Sequence, residues 1–308
     1  MNSFVALYNK DIVASYSFIK SEIQILGKKY PMRWGVNAAT LPKFRKQGLG
    51  KDCYLNARNT DGVFGVYGFT KNVGGFYKDE GFNLFKFLGQ KYVRVINSDY
   101  IKFIEYWKSN FLNHKDKNNF LFFDEHNFYN ELSNKKILEK FSLNDLNTSV
   151  RDEGFLKWKF NNFQTDNYER CKINTEDKFS HIIVKRVRLA PTHFFATRII
   201  DIYGEMKDLK TVFKSILEKC RERGDIYIDY CCIGDVYEAL FKYFSFHELS
   251  YEENNSFPEL VNPLTLKENQ YRIAFFSNKI QERVHMMNHE NSYFTRLDSD
   301  RERISVTF

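Results

Sequence analysis

The sequence predicts an α/β protein of two units in tandem, each a mixed, largely antiparallel sheet flanked by helices. Three observations predict it. Strand-like and helix-like segments alternate from residue 3 to 97, the same order of elements returns from 169 to 243, and a polar stretch rich in Asn, Lys and Asp lies between them at 113–150. The expected division is an N-terminal unit over 1–112, a linker or helical segment over 113–150, and a C-terminal unit over 151–308.

Taken in order, residues 3–19 read as a hairpin of two short strands around the polar turn Asn9-Lys10-Asp11, with a further strand at 22–26. Arg33 to Thr40 (RWGVNAAT) is extended and closes on Leu41-Pro42. The next stretch, PKFRKQGLGKDCYLNAR, changes period. After two glycines spaced by two, Leu49, Cys53, Tyr54 and Ala57 recur at helical spacing. The apolar run 63–67 is a buried strand, 72–80 a short helix, and Gly81-Phe82 opens a strand expected to continue through KYVRVIN. In the second half, strand-like runs at 169–174, 179–189 and 193–203 precede a helix at 207–222, a strand at 226–232 and a helix at 235–243. The tail from 264 carries the strand-like YRIAFF and ends charge-dense.

Composition removes several classes. With 308 residues, 43% hydrophobic and 28% charged, the chain sits near the globular average, which excludes disordered, collagen-like and heptad-repeat architectures. The 31 Phe and 19 Tyr are spread along a chain equally rich in Lys and Asn, so they read as codon bias and core rather than a cofactor box. No stretch approaches the roughly 18 apolar residues of a membrane span, and residues 1–25 lack a signal-peptide pattern, so a cytoplasmic protein is expected. Cys53, Cys171, Cys220, Cys231 and Cys232 form no C-x-x-C pair, and the histidines show no H-E-x-x-H spacing. Neither a disulfide framework nor a metal site is expected. The net charge of +7 favours anions, whether nucleic acid, an anionic membrane or a phosphate-bearing small molecule, without choosing among them.

The residues that carry chemistry lie where a strand hands over to a helix, at Arg45-Lys46-Gln47-Gly48-Leu49-Gly50. Backbone N–H groups of a helix N-terminus point outward there, glycines allow close approach, and the helix dipole favours an anion such as pyrophosphate. An ordinary turn with a glycine cap fits the same residues. It is not a Walker loop, since no Gly-Lys-Ser/Thr follows, and the third glycine of a dinucleotide fingerprint is missing.

The run TLPKFRKQGLG, followed 27 residues after Gly50 by Tyr77 in FYKDEGF, resembles the acyl-CoA-binding region of the GNAT superfamily of N-acyltransferases. The resemblance covers residues 3–97. It implies that the amides of Arg45, Lys46, Gln47, Gly48, Leu49, Gly50 and Lys51 hold the CoA pyrophosphate. It also implies that the strand end at Ala38, Ala39 and Thr40 pairs with the pantetheine arm near Asn72, and that Tyr77 protonates the leaving thiolate. A core aromatic is the other reading of Tyr77. The sequence departs from the family in three places. The strand and two helices that precede the family's hairpin, and build much of its acceptor pocket, have no counterpart before residue 3. Thr70 stands where an asparagine is expected, and Tyr203-Gly204-Glu205-Met206 replaces the phosphate turn in the second half.

These departures imply that the C-terminal unit supplies an acceptor wall and that the active site lies between the two. Tandem GNAT enzymes that acylate amino sugars in surface-polysaccharide or nucleotide-sugar synthesis are arranged so, and FLKWKF (155–160) and YFTRLDSDR (293–301) resemble them. On that resemblance Trp158, Asp298 and Arg301 bind the acceptor. The alternatives are a core or interface tryptophan and a solvated, charge-dense tail.

Attack on a thioester requires a neutral amine, an oxyanion donor and a proton for a thiolate of pKa about 8.5. Candidate bases are Glu22 on an early strand, and His193 and His181 on strands of the second half; a water relay serves equally. Asp201 and Asp229 fall on neighbouring strands, either as paired carboxylates or each with its own cation. The expected function is transfer from acetyl-CoA or a longer acyl-CoA, or from acyl carrier protein, to the amino group of a nucleotide-linked amino sugar. DNA is not an expected partner. The alternatives are an aminoacyl-tRNA-dependent transferase, which shares the tandem GNAT architecture, and a CoA-binding protein without turnover.

Overall fold

A computed structural model of the chain describes residues 2–69, 71–85, 90–111, 145–161, 168–174, 179–189, 192–249, 272–288 and 290–298. It forms two compact units that interleave along the sequence. The first comprises Met1–Gly89, Asn144–Asn162 and Asn269–Glu302, and the second Gln90–Leu143, Phe163–Glu268 and Arg303–Phe308.

The first unit begins with β1 (Asn2–Tyr8), β2 (Asp11–Ile25), β3 (Lys28–Thr40), α1 (Leu49–Arg58), β4 (Val63–Tyr67), α2 (Lys71–Asp79) and β5 (Asn83–Leu84). The second then takes β6 (Gln90–Val95) and α3 (Asp99–Phe111). The chain returns to the first for β7 (Asn147–Ser149) and α4 (Glu153–Asn161). The second unit continues with β8 (Tyr168–Asn174), β9 (Phe179–Arg188), β10 (Phe195–Tyr203), α5 (Met206–Glu222), β11 (Tyr227–Ile233), α6 (Glu238–Tyr243) and β12 (His247–Leu249). Finally β13 (Ile273–Phe276), α7 (Gln281–His285) and β14 (Ser292–Thr295) complete the first.

Both units are mixed sheets flanked by helices, and they share one plan. In the first the strand order is β5-β13-β4-β3-β2-β7-β14, with β1 also on β2; in the second it is β12-β6-β11-β10-β9-β8. Each contains a parallel pair joined through a helix, β3-α1-β4 and β10-α5-β11. In each, a strand distant in sequence inserts antiparallel between the second member of that pair and a short edge strand. β13 lies between β4 and β5, and β6 between β11 and β12.

This exchange explains two differences from the sequence-based expectation. KYVRVIN does not continue the strand at 81–82. That strand ends at Leu84, and in the second unit Val93 and Val95 of β6 are buried with Ile226 and Tyr227 while Tyr92 stacks on Phe241. The two units likewise do not meet the sequential division over 1–112, 113–150 and 151–308, because 90–111 lies with the second unit while 144–162 and 269–302 lie with the first. Residues 112–144 are outside the described residues. A third difference is that the hairpin partner of β1 and the strand expected at 22–26 are one continuous β2.

The helices dock as their spacing dictates. α1 buries Cys53, Tyr54 and Ala57 against Ala14, Tyr16, Phe18 and Phe64. α5 buries Leu209, Val212, Phe213, Ile216, Leu217 and Cys220, one stripe at i, i+3, i+4, i+7. No helix among the described residues is long and apolar enough to cross a membrane.

The returning segments of the first unit are fixed by a buried ion pair. Arg151 Nη2 lies 2.7 Å from Asp298 Oδ2, and both side chains are fully buried. Arg151 also donates to Thr148 Oγ1 at 2.6 Å and to the Ser149 carbonyl at 2.9 Å, while the Thr295 N–H donates to Asp298 at 2.6 Å. Removing one partner strands a charge in the interior. Arg151→Ala should therefore lower unfolding free energy by about 3–5 kcal/mol, read from urea midpoints. Lys102→Ala, which breaks the exposed Lys102–Asp99 pair, should leave the midpoint unchanged.

Candidate active site

The cavity in the first unit originates in how β3 and β4 part. Their parallel register runs from Met32↔Val63 to Gly35↔Val66, while β3 continues to Thr40 on β2 alone through the rungs Asn37↔Ser17, Ala38↔Tyr16, Ala39↔Ser15 and Thr40↔Ala14. A register shift between Ser17 and Phe18 leaves Val36 as the extra residue of β3, one position beyond the last β3/β4 rung. This extra residue falls where the β3/β4 ladder ends, β4 itself stopping at Tyr67.

A cavity of about 710 Å³ opens beside this strand end. Its lining takes Ala38, Ala39 and Thr40 from the strand end, Arg45, Gly50 and Lys51 at the solvent-facing mouth, Val73, Phe76 and Tyr77 from α2, and Tyr16 and Tyr54. Seven of the residues singled out in the sequence thus line one cavity: Ala38, Ala39, Thr40, Arg45, Gly50, Lys51 and Tyr77.

The mouth is shaped by its backbone. Lys46 (φ +65°) and Gly48 (φ +84°) are both left-handed, so the chain turns twice around Gln47 before α1 starts. Gly48 is the N-cap and no side chain caps the helix. The first N–H with an intrahelical acceptor is that of Asp52, which donates to Gly48 at 3.0 Å. The amides of Leu49, Gly50 and Lys51 therefore have no acceptor within the helix, as the first turn of any α-helix dictates. Together with the exposed Arg45, Lys46 and Lys51 they present donors and positive charge. Arg45 Nε donates to the Thr40 carbonyl at 3.2 Å and Gln47 Nε2 to Lys43 at 3.2 Å, which fold the loop back on the strand end. Lys51 shares Glu80 with Arg58, at 3.6 Å and 2.7 Å. Gly50 is held by contact, since a Cβ there would lie 2.7 Å from Thr40 Oγ1.

Inside, Tyr77 is 8% exposed and packs against Phe69 and Phe82, each with ring centroids 4.9 Å away. Its hydroxyl pairs with that of Tyr16. Burial pushes the phenols of Tyr16, Tyr54 and Tyr77 above their ordinary range, so all three keep their protons at neutral pH. Tyr77 is thus both a core aromatic and a cavity residue. Tyr16, Val73 and Phe76 were not singled out from sequence, and Tyr54 only as part of the apolar helix face; Tyr16 becomes legible once the β2/β3 register places it opposite Ala38.

Other expected residues lie elsewhere. Glu22 is exposed on β2 at the Pro31 rung, six residues from Tyr16 or about 20 Å along an extended strand, and does not line the cavity. His193 is an exposed residue of the turn before β10 in the second unit, not a strand residue, and its ring lies tilted against Phe194 with centroids 4.2 Å apart. Asp298 is committed to Arg151 rather than to a ligand, because the charge-dense tail folds inward as far as residue 298. The side chains of Asn72 and Trp158, and all of Thr70 and Arg301, lie outside the described residues. His181 is buried with Nε2 3.0 Å from Asp201 Oδ2, and Asp229 holds Arg198 at 3.2 Å through both oxygens. Each carboxylate has its own cation or imidazole. Among the described residues no three His, Cys, Asp or Glu side chains converge as a metal site would require.

In the second unit the corresponding helix start is closed. Ser180 Oγ accepts from the Glu205 N–H at 3.1 Å and donates to Asp208 at 3.0 Å, and the Gly204 N–H donates to the Tyr237 hydroxyl at 3.1 Å.

A scan against models of protein families finds no match, and a search of curated proteins finds none. Solved structures similar to this chain include a GCN5-related N-acetyltransferase from Kribbella flavida, at TM-score 0.44 and 10% identity, covering 89% of this chain and 59% of that one. A GCN5-related N-acetyltransferase from Anabaena variabilis aligns at 0.45 and 12%, covering 89% and 62%. A probable N-acyltransferase from Enterococcus faecalis aligns at 0.47 and 11%, covering 88% and 61%. The chain spans about three fifths of the length of each.

The Gly50 contact has a sign that can be checked. Gly→Ala within a helix ordinarily stabilises by about 1 kcal/mol, yet Gly50→Ala should destabilise by about 1–3 kcal/mol through overpacking against Thr40. Urea denaturation should show the loss disappear in Gly50→Ala/Thr40→Ala, where the obstructing hydroxyl is gone.

Proposed function

We propose that the first unit binds an acyl-CoA in this cavity and that the protein is an N-acyltransferase, passing the acyl group directly to an amine. The observation that carries this reading is the coincidence of three features in one cavity: a strand end parted from its neighbour, a helix start with unclaimed amides and basic side chains, and a buried tyrosine. A thioester carried on a pyrophosphate-bearing arm needs all three.

In this reading the amides of Leu49, Gly50 and Lys51, with Arg45 and Lys46, take the pyrophosphate at the mouth. Gly48 permits the turn that aims those amides outward. Ala38 and Ala39, with their small side chains, leave the β3 edge open to an amide-bearing arm. An amine attacks the carbonyl, the C–S bond breaks, and the departing sulfur takes up a proton while the amine gives one up. Tyr77 holds a proton for the sulfur. Its pKa, raised above the ordinary phenol range by burial, keeps the hydroxyl protonated, so it donates a hydrogen bond to the negative charge that develops on the sulfur. The amine's proton leaves through water, since neither Glu22 nor His193 lines the cavity.

For the acceptor we propose an amine on a nucleotide-linked amino sugar, on the resemblance carried by residues 155–160 and 293–301. Asp298 is no part of that recognition, because its carboxylate is buried on Arg151.

Two outcomes are expected. Acetyl-CoA at about 100 times its Kd should raise unfolding free energy by about 2.7 kcal/mol, seen as an increase in thermal midpoint that Gly48→Glu abolishes. With an amine acceptor in hand, Tyr77→Phe should lower kcat about 10²-fold with little change in KM. The wild-type kcat should show no descending limb below about pH 10, because the raised Tyr77 pKa keeps the donor protonated across that range.

A further inference from the structure

We infer that the tip of the β1/β2 hairpin, with the adjoining loop from Leu41 to Lys46, docks the protein on an anionic lipid surface. The inference does not depend on what the cavity binds.

A hairpin tip in water is ordinarily polar, because its side chains have no core to reach. This one is not. Every residue from Leu7 to Ile12 is exposed, and three of the six are Leu7, Tyr8 and Ile12. With Leu41 they are 46–63% exposed, and these four are nearly half of the nine large hydrophobic residues that stand exposed among those described. They also fall at one place. Leu7 and Ile12 are rung partners, the Leu41 N–H donates to the carbonyl of Val13 beside Ile12 at 2.9 Å, and the Tyr8 ring centroid lies 5.2 Å from that of Phe44. Apolar side chains gathered so at the surface mark an interaction site.

Charge and shape choose the partner. Residues 7–12 and 41–46 carry Lys10, Lys43, Arg45 and Lys46 against the single acid Asp11, a net charge of +3. Lys43 holds its ammonium 5.0 Å over the ring of Phe44, so cation and apolar surface belong to one patch. Asn9 and Lys10 both take positive φ, +49° and +73°, which reverses the chain within two residues and makes the tip a narrow projection. A protein partner would need a socket shaped to that projection. A lipid surface needs only an apolar tip that enters the acyl boundary, a tyrosine at headgroup level and cations that meet the phosphates. Because Phe44 directly precedes Arg45, docking also brings the cavity mouth beside the headgroups.

The test is co-sedimentation of the whole protein with vesicles of phosphatidylcholine alone and of phosphatidylcholine with about 30% phosphatidylglycerol, at ionic strengths of about 0.1 M and about 0.5 M. The mixed vesicles should bind at least about tenfold more strongly than phosphatidylcholine alone, and the higher salt should weaken them. Lys10→Glu/Lys43→Glu should remove the preference for the anionic lipid. Leu7→Gln/Ile12→Gln, which leaves the charge as it is and alters two exposed side chains, should lower binding to the mixed vesicles about tenfold or more. No binding to the mixed vesicles at the lower salt would overturn the inference. Binding undiminished in a folded Leu7→Gln/Ile12→Gln would overturn it as well, since a purely electrostatic contact suits an acidic protein as readily as a bilayer. A dimer in lipid-free solution that the same double variant dissociates would overturn it in favour of a second copy of this chain. If that variant does not fold, the wild-type lipid and salt series with Lys10→Glu/Lys43→Glu decides the matter.

Discussion

Everything that makes the first unit a candidate site depends on the point where β3 stops pairing with β4. Up to Gly35↔Val66 the two strands form an ordinary parallel ladder. Beyond it β4 has one further residue, Tyr67, while β3 carries the extra residue Val36 and runs on to Thr40 on β2 alone. A parallel pair that stayed closed would place α1 over a filled sheet and leave no cavity. Because it opens, the loop at 45–48 can deliver the α1 N-terminus to the strand end. Gly50 sets the closeness of that approach, and Thr40 is the surface it meets.

The second unit provides an internal contrast. It has the same parallel pair, the same crossover helix and the same inserted strand. At the start of its crossover helix, however, the residues are Gly204, Glu205 and Asp208, and Ser180 satisfies the Glu205 amide while holding the Asp208 carboxylate. An anion brought there would meet two carboxylates and occupied donors. In the first unit the corresponding turn has Arg45, Lys46 and Lys51, no side-chain cap and three amides without a helical acceptor. One architecture thus carries opposite electrostatics in its two copies, and the difference lies in a handful of side chains at one turn.

Much of this was legible in the sequence where the signal is local. The helical stripe of α5 and the short apolar β4 fell within a residue of their bounds, and the loop from Arg45 to Lys51 stood out by its glycines and charge. What was not legible depends on pairing across long separations. KYVRVIN reads as a continuation of its neighbour because β-periodicity says nothing about which sheet receives a strand. β2 reads as two pieces because the polar Lys20 and Ser21 interrupt its apolar run, although the ladder continues through them at Lys20↔Arg33 and Ser21↔Met32. Asp298 reads as a surface or ligand-binding carboxylate because its partner, Arg151, is 147 residues upstream. His193 sits two residues before its strand, and Tyr16 is indistinguishable from any other strand aromatic until its rung is known.

The most direct test is backbone hydrogen exchange with and without CoA, followed peptide by peptide. The account predicts slowed exchange in two stretches, 36–40 and 46–51, as the strand edge and the helix start acquire acceptors, with no change at 204–209, where Ser180 already fills the equivalent turn. Exchange unchanged at 46–51, or protection appearing at 204–209 instead, would contradict it.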